Sequence, residues 1–203
     1  AHAIQSLVKG DTDLAQRVIA TDPKLDTLER EIEEKVILTI ARRQPMAIDL
    51  RALVSAMRIA SDLERIGDLA KNVGKRVVAI DGQFAPQKIV GGVIHISDLA
   101  LDRLHRVLDA YGHRNVDEAM AVWNQDEEID QLYNSLFREL LTYMMEDPRN
   151  IGFCAHLLFS AKNIERIGDH ATNIAETVKY LVTGEAVVTD RPRPVGGYEP
   201  LQG

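Results

Sequence analysis

Apolar residues recur at steps of three and four along most of the chain. Leu157, Ala161, Ile164, Ile167, Ala171, Ile174, Val178 and Leu181 form one such stripe. Leu50, Leu53, Met57, Ala60, Leu63, Ile66, Ala70, Val73 and Val77 form another. Steps of three and four keep side chains on one face of a helix. Both stretches therefore predict long amphipathic helices. No stretch alternates with a period of two between turn residues, so the pattern predicts an all-α protein.

Turn residues divide the stripes into elements. The spacing predicts a short helix over 1–9 stopped by Gly10, a second near 13–20, and helices over 23–43 and 47–80. A loop at 81–86 follows, then helices near 88–111, 115–147 and 150–182. From Asp190 onward the chain is rich in Pro and Gly without periodicity, which predicts a loosely attached tail.

One pattern occurs twice, 101 positions apart. Residues 63–73 read LERIGDLAKNV and residues 164–174 read IERIGDHATNI. A repeat at fixed distance implies two copies of one structural unit. The expected architecture is two tandem three-helix bundles, residues 1–85 and 86–184, followed by the tail at 185–203. The segment ahead of the first repeat's acidic pair is shorter than its counterpart, and the chain begins with Ala, so the first helix is expected to be truncated.

Each copy of the pattern carries a Glu and an Asp four residues apart, Glu64 with Asp68 and Glu165 with Asp169. Like charges at this spacing cost a few tenths of a kcal/mol in an isolated helix. Asp22 with Asp26, and Asp126 with Asp130, form equivalent pairs on the preceding helices. Distances from the turns make the pairs level. Asp26 and Glu64 each stand 19 residues from Pro45, and Asp22 and Asp68 each stand 23. Asp130 and Glu165 stand 18 and 17 residues from Pro148, and Asp126 and Asp169 stand 22 and 21. Antiparallel helices rise equally from a shared turn, so each hairpin should present four carboxylates at one height. Such a cluster repels itself unless a cation is present. Hard oxygen donors without cysteine suit Fe, Mn, Mg or Ca, with Zn also acceptable. The plainer reading is that Asp22 caps a helix whose first residue is Pro23, that Asp126 favours a helix N-terminus, and that the other acids are solvated.

Other residues read structurally. Gly67 and Gly168 predict close approach of a neighbouring helix or of a ligand, since glycine inside a helix costs about 1 kcal/mol relative to alanine. Arg65 and Arg166 read as surface charge, with partner docking as the alternative. Asn72 and Asn173 bond across helices or cap a polar face. His170, whose counterpart is Leu69, reads as helix surface or core edge, with an extra metal ligand beside Asp169 as the alternative. Cys154, the single cysteine, reads as buried filler and excludes an internal disulfide.

Composition narrows the function. Hydrophobic residues make 45%, charged residues 27% and aromatics 5%, with net charge −7, which gives nucleic acid no electrostatic footprint. No apolar run reaches the roughly 20 residues of a membrane span, and no signal pattern opens the chain, so a cytoplasmic protein without direct membrane insertion is expected. Phosphate loops, nucleophile elbows and the Glu-x-x-His pairs of bundle oxidases are absent, which argues against an enzyme. A carboxylate-bridged metalloenzyme and a metal-free helical adaptor stay open on these residues alone.

At DLERIGDLAKN, NIERIGDHATNIAE, ARRQPMAIDLR and LLTYMMEDP the chain resembles the PhoU family, phosphate-signalling regulators of bacteria and archaea. The resemblance spans about residues 10–184. It implies two similar three-helix bundles in tandem and multinuclear metal clusters, iron foremost, on Glu/Asp-x-x-x-Asp motifs. The matching positions are Asp22, Asp26, Glu64, Asp68, Asp126, Asp130, Glu165 and Asp169. It further implies a homodimeric negative regulator of the phosphate-starvation response and of phosphate uptake. The implied partners are a sensor histidine kinase and the ATPase or membrane part of the phosphate ABC transporter.

Overall fold

The computed structural model describes residues 1–80 and 87–187. The expected loop at 81–86 and the tail from Asp190 lie outside the described residues. Among the described residues seven α-helices follow one another: α1 (His2–Lys9), α2 (Thr12–Arg43), α3 (Ile48–Ile80), α4 (Gln87–His113), α5 (Val116–Trp123), α6 (Asp126–Glu146) and α7 (Ile151–Thr183). A 3₁₀ turn at Pro148–Asn150 precedes α7. Among the described residues there is no strand.

Local chemistry sets the ends. Gly10 stops α1 and Gly184 stops α7, both in the left-handed conformation. Asp11 caps α2 by accepting from the Leu14 amide at 2.8 Å, and Asn115 caps α5 by accepting from the Glu118 amide at 3.1 Å. Asp11 and Asn115 stand at the same place in the two repeats, eleven residues before Asp22 and Asp126.

Two expected boundaries are reversed. A break was expected before Pro23 and none between 115 and 147. In the fold α2 runs unbroken through Pro23, whereas its counterpart is split into α5 and α6 at Asn124–Gln125. Pro23 is tolerated because Asp11 already nucleates the helix and α3 supports it along its length. Asp22 is therefore a mid-helix residue and not a cap.

The two hairpins, α2–α3 and α6–α7, meet through α3 and α7, which pack along each other in opposite directions. Arg58 lies 5.2 Å from the centre of the Tyr180 ring, Asp62 reaches His170, and Arg76 lies 4.7 Å from the centre of the Phe159 ring. On one side of this seam Ile129, Leu136, Leu140, Phe153, Leu157 and Ile164 pack with Leu69 and Ile80. On the other, Val107, Val122, Ile174 and Val178 pack with Ile59. The helix α7 buries twice as many residues as α3, so the second repeat holds most of the core. Cys154 is buried in it as filler, and burial pushes its thiol pKa up.

Candidate metal centre

The glycines of the repeat decide how closely the hairpin helices approach. A Cβ on Gly67 would collide with Leu25 Cδ1, and one on Gly168 would stand 2.9 Å from Ile129 Cδ1. Leu25 and Ile129 are equivalent, each one residue before the second acid of its pair. The close contact brings the acids of α2 against those of α3, and the acids of α6 against those of α7. Asp26 lies near enough to Glu64 for its charge to raise the glutamate's pKa, and Asp130 lies beside Glu165.

In the second repeat Asp130, Glu165 and Asp169 each offer an oxygen within 4.8 Å of the others. Among the described residues no other group of three or more acids, histidines or cysteines converges in this way. Glu165 is 7% exposed. Its Oε1 accepts from Lys162 Nζ at 2.6 Å, while its Oε2 is buried without a hydrogen-bond partner among the described residues. A buried carboxylate oxygen left unpaired is costly, and a cation satisfies it. Burial raises the pKa of Glu165, and the charges of Asp169 and Asp130 raise it further against the pull of Lys162. Burial likewise raises Asp130 and the charge of Asp126 adds to it, while Lys162, a hydrogen bond with Glu165 and Arg103 oppose the shift. Asp126, the fourth acid, accepts from the Thr172 hydroxyl at 2.8 Å. Hard oxygen donors, mutual repulsion and an orphaned buried oxygen together fit a cation.

The first repeat is arranged differently. Lys71 Nζ lies 2.5 Å from Asp22 Oδ2 and 2.5 Å from Asp68 Oδ1, joining α2 to α3. Its hydrogen bonds to Asp22 and Asp68 raise the lysine pKa, and Lys71 in turn lowers that of Asp68. Glu64 is raised by burial, then by Asp68, with Asp26 and Glu29 adding and Arg65 opposing.

Three contributors escaped the sequence reading. Lys71 and Thr172 occupy the same place in the repeat, so their exchange was a visible signal. Arg103, from α4, is 1% exposed and gives Nη2 to Glu128 at 3.0 Å. Its burial carries no sequence signal, because a lone arginine in an amphipathic helix reads as surface. His170 proves to be a seam residue. Its Nδ1 lies 2.9 Å from Asp62 Oδ1, and Asn173 donates to the same oxygen at 3.4 Å.

Comparison with known proteins agrees with this architecture. The family model described as "PhoU domain" matches residues 1–77 and 93–178. The chain is similar to the phosphate-specific transport system accessory protein PhoU homolog of Rhizobium meliloti, at 57% identity over 95% of this chain and 81% of that protein. The protein of the same description from Caulobacter vibrioides is 50% identical over 95% of this chain and 84% of its own length. Among solved structures, PhoU from Pseudomonas aeruginosa superposes with a TM-score of 0.87 at 39% identity, covering 91% of this chain and 88% of that one. The phosphate transport system regulatory protein PhoU from Streptococcus pneumoniae gives 0.84 at 30% identity, covering 92% and 87%.

Proposed function

The chain belongs to the PhoU family, accessory and regulatory proteins of phosphate transport and not enzymes, and from that premise we propose that it is a negative regulator of the phosphate-starvation response and of phosphate uptake. It links the phosphate ABC transporter to a sensor histidine kinase, and it works in the cytoplasm as a homodimer of two tandem bundles. The observation that carries this reading is the 57% identity over 95% of the chain to a phosphate-specific transport system accessory protein. No helix among the described residues is long and apolar enough to cross a membrane, which is compatible with a regulator that docks on the transporter's inner parts.

The acidic site adds a structural component to that role. Asp130, Glu165 and Asp169 hold a divalent or trivalent cation, iron foremost, with Mn, Zn, Mg or Ca as alternatives. When bound, the metal neutralises the clustered charge. The residues tie α6 to α7 and so fix the outer face of the second hairpin, on which a kinase or transporter subunit docks. The ionised carboxylates are the ligands, and burial raises the pKa of Glu165 and Asp130, so protons compete with the metal and its affinity falls as pH is lowered.

The test is phosphate-starvation reporter output in phosphate-rich medium, in a strain lacking this gene with and without a plasmid copy. High output without the gene, silenced by the copy, is the expected result. Low output in both strains would remove the regulator reading.

A further inference from the structure

We propose that Lys71 is a built-in cation that replaces metal in the first repeat, so that this chain takes metal only in its second; this rests on the second repeat being a metal site. Eight acidic positions recur symmetrically in the sequence, but the groups facing them do not. Lys71 reaches from α3 to Asp22 on α2 and to Asp68 on its own helix, 2.5 Å from each. Its side chain is 22% exposed and that of Asp22 is 9% exposed, so the bridge sits between the helices and not over them. A metal ion entering there must expel an ammonium group that is covalently tethered and never diffuses away.

The same place in the second repeat holds Thr172. Its single hydroxyl proton is shared between Asp126 at 2.8 Å and the Gly168 carbonyl at 3.2 Å, and it brings no charge. The second repeat has its own lysine, Lys162, at the place where the first repeat has Ser61. Lys162 acts from the rim. It is 49% exposed, stays on the same helix as its partner and holds only Glu165 Oε1, while its ammonium also faces the Tyr133 ring at 5.1 Å. Glu165 Oε2 remains for a ligand. The two repeats therefore place one lysine each at opposite ends of the motif. In the first it closes the helix–helix gap, and in the second it borders it.

The test uses the full chain, stripped with chelator, dialysed against Mn²⁺ and assayed for bound metal by elemental analysis. Asp22→Asn/Asp68→Asn should leave bound manganese unchanged, and Glu165→Gln/Asp169→Asn should abolish it. Lys71→Thr should gain manganese, and adding Asp22→Asn/Asp68→Asn should remove the gain. A loss of manganese on Asp22→Asn/Asp68→Asn in the otherwise native chain would overturn the proposal, as would a folded Lys71→Thr that gains none. If the native chain binds no manganese at all, the metal reading of the second repeat falls. The lysine bridge is then judged in metal-free protein by a double-mutant cycle of Lys71→Met and Asp22→Asn. The cycle should return a coupling of about tenfold in the folding constant. Independence of the two changes would overturn the bridge.

Discussion

The two hairpins carry the same acidic letters and balance them in different ways. In α2–α3 the balance comes from inside the chain, through Lys71 between Asp22 and Asp68. In α6–α7 Thr172 stands in that place, and Asp130, Glu165 and Asp169 converge around a buried oxygen without a partner among the described residues. The exchange of Lys for Thr is one of four differences within the eleven-residue motif. A duplicated sequence therefore need not mean a duplicated site. What the repeat preserves is the backbone approach enforced by Gly67 and Gly168, and what it varies is the charge placed in the resulting gap.

The largest expected effect separates the hairpins by their response to metal. A ligand at a hundred times its Kd stabilises the folded state by about 2.7 kcal/mol. In a chain of this size that raises Tm by roughly 5–10 °C. Mn²⁺ should produce such a shift in the native chain and none in Glu165→Gln/Asp169→Asn, as read by scanning fluorimetry. Equal shifts in both would place the metal elsewhere and erase the contrast.

Packing supplies the next effect. An added methyl group at Gly168 meets Ile129, itself 2% exposed and unable to turn away. Overpacking of this kind costs about 1–3 kcal/mol. At Gly67 the nearest atom is the tip of Leu25, which is only half-buried and free to rotate. The helix-propensity gain of alanine over glycine, about 1 kcal/mol, then roughly cancels the clash. Urea unfolding should find Gly168→Ala destabilised by more than Gly67→Ala. The opposite order would mean that the first hairpin is the tighter one.

The caps are where the hairpins should agree. Asp11→Ala and Asn115→Ala each remove a side-chain acceptor from an equivalent amide and should each cost about 1 kcal/mol in the same urea assay. A much larger loss at Asn115 would show that the short α5, broken from α6, depends on its cap in a way that the continuous α2 does not.

These contrasts mark how far the sequence could be read. The stripes from Leu50 to Val77 and from Leu157 to Leu181 announced α3 and α7, because burial on one face imposes a period that few other constraints disturb. Level matching of Asp26 with Glu64, and of Asp130 with Glu165, was legible because helix rise is nearly constant. The break was misplaced because Pro23 is a strong local signal that tertiary support overrode, while Asn124–Gln125 carries none. Lys71 lies at a position where the two copies differ, so what the repeat keeps carries no signal for it. Arg103 and the Asp62–His170 contact depend on how α4 and α3 dock against α7, which no local pattern encodes.

The smallest effect is a pH dependence in which the hairpins oppose each other. Lys71 holds Asp68 below the ordinary carboxylate range. The unfolded chain therefore takes up that proton first on acidification. Asp68 contributes stability above its unfolded pKa of 3.8 and loses it as pH falls through the folded value. Burial, with the charges of Asp169 and Asp130, holds Glu165 above its unfolded value of 4.5. Here the folded chain keeps the proton longer, so stability falls as pH rises from 4.5 through the folded pKa and stays reduced beyond it. In metal-free protein near neutral pH, Asp68→Asn should lower Tm and Glu165→Gln should raise it, and both differences should shrink as pH drops through the carboxylate range. Saturating Mn²⁺ should then reverse the sign for Glu165→Gln alone, because the charge that burdens the empty site is the charge that holds the ion. If both substitutions move Tm in the same direction without metal, the two hairpins balance their acids in the same way, and the asymmetry between Lys71 and Thr172 has no energetic consequence.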